Sequence, residues 1–137
     1  MHDSKSRQFV RDGLVSLFHA DPRLAFDLYE RASGHVLGPN LEISSEPTDF
    51  VDPHDPARTH RTDVVFVAHA TRGGARVAVM GLALEILVEI DRARPPGWAI
   101  YPEGIRLRHG CPGQVLILSP DPVVRGWAQA ERLVRHS

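Results

Sequence analysis

The sequence predicts an α/β fold, a mixed β-sheet flanked by helices, and three observations carry that reading. Apolar residues near the N-terminus recur with helical spacing. A β-branched run over residues 63–69 is joined through Arg72-Gly73-Gly74 to a second apolar run, the pattern of a hairpin. A helix and a further strand then follow, and a strand–helix–strand unit implies a parallel crossover beside the antiparallel hairpin.

Each element has its own signal. Phe9, Val10, Leu14, Leu17 and Phe18 place a first amphipathic helix at about 5–19. Asp21-Pro22 caps a second, Leu24, Ala25, Leu28 and Tyr29 continue its stripe, and Gly34 ends it. Residues 35–62 read as mostly irregular, with a short strand at Leu41 and Ile43 and a loop at Asp52-Pro53-His54-Asp55-Pro56. In the run over residues 77–90, period-two counting places Leu82, Leu84, Ile86 and Val88 on one face. Ala83, Glu85, Leu87 and Glu89 fall on the other. Arg94-Pro95-Pro96-Gly97 breaks the chain before a helix at about 98–108 that offers Ile100, Ile105 and Leu107 to the core. Val115-Leu116-Ile117-Leu118 is a short apolar strand. Pro120-Asp121-Pro122 opens a last helix with Val123, Trp127, Ala130 and Val134 on one face. The expected order is ααβββαβα.

Composition bounds the class. The chain has 137 residues, 42% hydrophobic and 24% charged, one domain's worth of ordinary globular sequence. We expect a single domain over 1–137: a helical part at about 5–34, a sheet core at about 41–119 and a terminal helix at about 121–135. Disorder, collagen and coiled coil are excluded as readings. Sixteen Lys and Arg against 17 Asp and Glu give a net charge of −1, so no overall basic field marks a nucleic-acid binder, although a local basic face is allowed. The one cysteine, Cys111, excludes an intrachain disulfide framework and makes a reducing cytoplasm the expected compartment. No apolar signal core follows the polar N-terminus, and the longest apolar run, 77–84, stops at Glu85. That is far below the ~20 residues of a membrane span, so a soluble protein is expected.

Phosphate loops, dinucleotide fingerprints, nucleophile elbows and zinc-protease histidine pairs are absent from the sequence. His54, His60 and His69 read as solvated histidines rather than ligands. Cys111, before Pro112, reads as a buried, inert thiol. Asp63 and Glu85, 22 positions apart, are the more informative pair. A carboxylate inside a run such as Leu82-Ala83-Leu84-Glu85-Ile86-Leu87 is costly unless solvated, paired or metal-bound. Carboxylates from adjacent strands can share one Mg²⁺, which would polarise a phosphodiester and activate a water. The competing reading puts Glu85 on a half-exposed face, paired with an arginine.

Several segments together resemble a family of small actinobacterial proteins in the PD-(D/E)xK nuclease-like superfamily, near its recombination-promoting nuclease and transposase branch. They are Arg61-Thr62-Asp63-Val64-Val65-Phe66-Val67, Leu84-Glu85, Trp98 and Tyr101, Arg106-Leu107-Arg108, Cys111-Pro112, the stretch from Val115 through Pro122, and Val124-Arg125-Gly126-Trp127-Ala128. The N-terminal helices, with Leu17-Phe18 and Asp21-Pro22, look similar too. The resemblance implies a restriction-endonuclease-like fold, with Asp63 and Glu85 as catalytic metal ligands for Mg²⁺ or Mn²⁺. It also implies a lysine or glutamine two residues after the glutamate, where this chain has Leu87, which can neither orient water nor steady phosphate charge. The register Glu89-Ile90-Asp91 would supply another polar pair but breaks the spacing to Trp98. Glu89 would also lie about 13 Å along a strand from Glu85, too far for one ion to bridge both. Pro95-Pro96-Gly97 and Pro102 are further departures. Arg92, Arg94, Arg106 and Arg108 could meet phosphates or be ordinary solvated arginines. Trp98 and Tyr101 could stack on bases or anchor the core.

The function expected on this basis is a metal-dependent phosphodiesterase acting on DNA. The alternative is a catalytically inactive nuclease-fold module that binds nucleic acid or a protein partner. Homodimerisation through the Trp98 or Trp127 face is compatible with either.

Overall fold

Residues 64–68 and 80–87 are the most enclosed part of the chain, apart from the half-buried Val79 beside them, and the rest of the fold is arranged to cover both of their faces. The computed structural model describes the backbone of residues 4–136 and the side chains of residues 4–133. Its elements are α1 (Ser4–Ala20), α2 (Arg23–Ser33), β1 (Glu42–Glu46), β2 (Asp49–Asp52), β3 (Asp55–Arg61), β4 (Val64–Arg72), β5 (Ala75–Ile86), α3 (Pro95–His109), β6 (Gly113–Leu118) and α4 (Pro122–His136). The sheet order is β1-β4-β5-β6. The first three strands are antiparallel neighbours, and β6 lies parallel to β5 after the α3 crossover. This is the expected mixed sheet flanked by helices. Among the described residues no helix is long and apolar enough to cross a membrane.

Strand alternation divides the core into two layers. Val64, Phe66, Leu82, Leu84 and Ile86 pack with Phe18, Phe26 and Tyr29 of α1 and α2. Val65, Val67, Ala83 and Leu87 pack with Trp98, Tyr101 and Ile105 of α3 and with Val124 and Ala128 of α4. Arg72-Gly73-Gly74-Ala75 closes the β4–β5 hairpin with φ of 59° and 82° at the two glycines, a left-handed pair that favours residues without a Cβ.

The differences from the sequence reading have local causes. Asp52 and Asp55-Pro56, expected to lie in a loop, belong to a second, two-stranded sheet of β2 and β3, while Pro53-His54 do form the turn between the two strands. Its register jumps from Asp52↔Asp55 to Val51↔Thr59, so Pro56 falls in a bulge where it removes no ladder hydrogen bond. Strand β5, whose end the apolar run over 77–90 left open, stops at Ile86, because β6 ends at Leu118 and the Leu87 N–H donates to its carbonyl (2.8 Å). Beyond that point no neighbour continues the ladder. Helix α3 starts at Pro95, since Pro95 and Pro96 occupy its first positions, where a missing N–H costs nothing. Its core residues are Trp98, Tyr101 and Ile105, while Leu107 is exposed. Helix α4 buries Val124 and Ala128, not Val123 or Ala130; the Val134 side chain lies outside the described residues. In α1 the buried residue is Phe18, and Phe9 faces outward.

The crossover needs Gly113. A Cβ built there would stand 2.5 Å from the Pro102 carbonyl oxygen and 2.8 Å from Ile105 Cβ. Gly113→Ala should therefore lower unfolding stability by about 1–3 kcal/mol, the usual range for overpacking. Urea denaturation read by Trp98 and Trp127 fluorescence checks this.

Candidate functional site

Three carboxylates and one guanidinium meet at the start of α3. Asp63 sits one residue before β4, and its N–H donates to the Leu84 carbonyl (3.1 Å). The Thr62 hydroxyl donates to that same carbonyl (2.7 Å), and the Ile86 N–H donates back to Asp63 Oδ2 (2.7 Å). The Asp63 carboxylate is thereby fixed beside the end of β5. Beyond the register shift at Val79, odd-numbered residues at the end of β5 face α3, so Glu85 points into the same layer as Ala83 and Leu87. Sequence reasoning allowed Glu85 a half-exposed face; it is fully buried.

Arg94, the residue before Pro95, closes the cluster. Its Nη1 donates both to Asp63 Oδ2 (3.1 Å) and to Glu85 Oε2. Nη2 lies 3.4 Å from Asp63 Oδ1, and Nε lies 3.4 Å from Asp91 Oδ2. The negative groups gather near the N-terminus of α3, where the helix dipole favours them. Tyr101 approaches Glu85 from the next turns of the same helix. Its phenol lies near enough for the Glu85 charge to act on it, and Glu85 Oε1 is buried with no partner.

The electrostatics follow from burial. Loss of solvent pushes the Glu85 carboxyl up to about 7, with the Asp63 charge adding and Arg94 opposing. Burial works against the Arg94 charge, but Glu85 and Asp63 outweigh it and hold the guanidinium above its ordinary value. Burial also raises the Tyr101 phenol, and the nearby Glu85 charge raises it further.

The residues present do not fit a shared Mg²⁺ or Mn²⁺. One atom, Arg94 Nη1, touches an oxygen of each carboxylate, the place an ion bridging Asp63 and Glu85 would take. Leu87, two residues beyond Glu85, is a fully buried core residue. Among the described residues no group of three His, Cys, Asp or Glu side chains is arranged to hold a metal. What the arrangement does chemically is to set one guanidinium cation against two carboxyl groups, one of which, Glu85, ionises only near 7.

The other expected site residues are dispersed. Arg94 is internal rather than available to phosphate. Arg106 bonds Glu103, with Nε to Oε2 at 3.1 Å. Arg108 donates to the carbonyls of Pro47 (3.1 Å) and Asp49 (2.6 Å) and lies 4.2 Å over the Phe50 ring. Both lie on α3 roughly 18 Å or more from Arg94 at 1.5 Å per residue. Arg92 is exposed on the loop before α3. The four arginines therefore build no common basic face. Glu89 and Asp91 lie beyond β5 and pair with Arg7 (2.9 Å) and Arg94 respectively, so that alternative register places no second acid pair on the strand. Trp98 is buried and packs edge-on against Trp127, 6.2 Å between centroids, which removes it as a dimer anchor. His60 bonds Asp52 (3.0 Å) and His69 bonds Arg76 (3.2 Å). Cys111 is buried, and burial raises its thiol pKa.

Two participants escaped sequence reasoning in these roles: Arg94 as internal counter-ion and Asp91 as its third carboxylate. The available signal was an arginine nine residues after a buried glutamate and directly before Pro95-Pro96, a spacing that returns the chain to the strand end. Compared with known proteins, the chain matches no family model, and neither a curated protein nor a solved structure gives a significant match.

Proposed function

We propose that this chain is a non-catalytic α/β module, of the restriction-endonuclease-like type its sequence resembles, and that it works by binding a protein. The observation that carries this is Arg94 Nη1 lodged between Asp63 and Glu85. A guanidinium is always charged and cannot lower the pKa of a water as a metal does. An internal Arg94 offsets the charge of these acids without a metal ion. Leu87 supports the same reading, because its side chain offers nothing to a phosphate. A protein partner is favoured over nucleic acid because Arg106 and Arg108 are engaged within the chain and the net charge is −1.

Calorimetric titration of Mn²⁺ and Mg²⁺ tests this, with the Asp63→Ala/Glu85→Ala double variant in parallel. The expected outcome is no saturable heat in either protein. A saturable heat in the native chain that the double variant loses would restore the phosphodiesterase reading.

A further inference from the structure

The sheet has two outer edges of opposite character. Strand β1 carries Glu42 and Glu46, charges of the kind that keep an edge from pairing with other chains. Strand β6 has no charged residue and ends in Val115-Leu116-Ile117-Leu118. The Pro112 and Leu118 carbonyls accept from Gly81 and Leu87 on the β5 side. By the two-residue alternation of a parallel ladder, the N–H and C=O groups of Val115 and Ile117 point away from β5. Val115 is buried and Ile117 half-buried.

A cavity meets the C-terminal end of this strand on each face, at Ile117 and at Leu118, and the two differ in chemistry. On the α4 side, Ile117, Arg125, Ala128, Gln129 and Arg132 line about 260 Å³. Arg125 donates to the Ser119 carbonyl (2.8 Å). Among the described residues neither Arg125 nor Arg132 meets a carboxylate. On the α1–α2 side, Leu14, Leu17, Leu24, Leu28 and Leu118 are among the residues lining about 300 Å³, and Leu17 is 48% exposed.

An extended chain laid along a sheet edge sends successive side chains to opposite faces. Along β6 those side chains would enter an arginine-lined cavity on one face and a leucine-lined cavity on the other. We propose that β6 is a strand-addition site for an extended segment of a partner protein in which acidic residues alternate with apolar ones. The inference rests on the reading of the chain as a protein-binding module. Charge selects a partner of that composition over a second copy. Antiparallel self-pairing through β6 keeps equivalent faces together, so it would bring Arg125 and Arg132 of both copies, four like charges, to one side of the joined sheet.

The probe is a blocked synthetic peptide alternating leucine and glutamate, titrated into the full chain by calorimetry, with amide exchange measured in parallel. Saturable binding is expected, with the Ile117 amide newly protected and the Leu116 amide, already bonded to β5, unchanged. Two changes should each weaken binding by at least about tenfold: Arg125→Glu/Arg132→Glu in the protein, and lysine for glutamate in the peptide. A peptide N-methylated on the residues facing β6 should not bind. Failure of the leucine–glutamate peptide to bind overturns the proposal, as does undiminished binding of the N-methylated one. A free chain that sediments as a dimer with Ile117 already protected overturns it too, in favour of a second copy. Failure of the peptide beside absent metal heats removes this inference and leaves the module reading standing. A metal heat removes that reading whatever the peptide does.

Discussion

Arg94→Met should lower the stability of the chain by about 3–5 kcal/mol, the usual cost of deleting one partner of a buried ion pair. Methionine retains much of the volume, so the loss reports charge and hydrogen bonding rather than a cavity. What remains is Glu85, fully buried, beside Asp63, 12% exposed, with no cation between them. Arg94→Lys should recover only part of the loss, because an ammonium lacks the planar fork that spans Asp63, Glu85 and Asp91. Adding Asp63→Asn and Glu85→Gln to Arg94→Met should return much of the stability, since the groups act as one coupled unit. Urea denaturation of the four proteins decides it. An Arg94→Met loss within about 0.5 kcal/mol, the range of ordinary surface substitutions, would mean that the cluster does not hold the start of α3.

The second large effect is a pH dependence with a defined sign. Glu85 ionises near 7 in the folded chain against an ordinary value of 4.5. The folded state therefore holds this proton more tightly than the unfolded state. The contribution is fully present below about 4.5 and is lost as pH rises through about 7. Its size is at most about 3 kcal/mol, at 1.36 kcal/mol per unit. Glu85→Gln removes the titrating group while keeping an acceptor for Arg94. Thermal unfolding of the native chain should fall between pH 5 and pH 8 relative to Glu85→Gln, a comparison that cancels the histidines common to both. A constant difference across that range would show that Glu85 stays ionised throughout. Arg94 and the carboxylates would then form a permanently charged pair rather than one sharing a titratable proton.

Much of the fold was legible because its signals are local. Gly73-Gly74 between two β-branched runs specifies a hairpin through backbone geometry alone, and the period of β5 correctly separated Leu82, Leu84 and Ile86 from Ala83 and Leu87. The β2–β3 sheet was not legible. Its prolines argue against strands, and the bulge that accommodates Pro56 is a property of the pairing, not of the segment. The end of β5 was also hidden, because it is set by the length of its neighbours and not by the apolar run, which continues to Val88. The buried acid in β5 was visible as an anomaly, and pairing with an arginine was one of its readings. Which arginine could not be read. Arg92, Arg94, Arg106 and Arg108 are alike in sequence, and only the start of α3 at Pro95 brings Arg94, rather than Arg106 or Arg108, to the end of the sheet.

We propose that Arg94, and not a metal ion, sits between Asp63 and Glu85 and offsets their charge. This is tested most directly by a crystal structure of the native chain grown with excess Mn²⁺, with anomalous data collected to locate manganese. Arg94 Nη1 is expected between the two carboxylates, with no anomalous peak there. A manganese peak about 2.1 Å from oxygens of both Asp63 and Glu85, with Arg94 turned away, would contradict it.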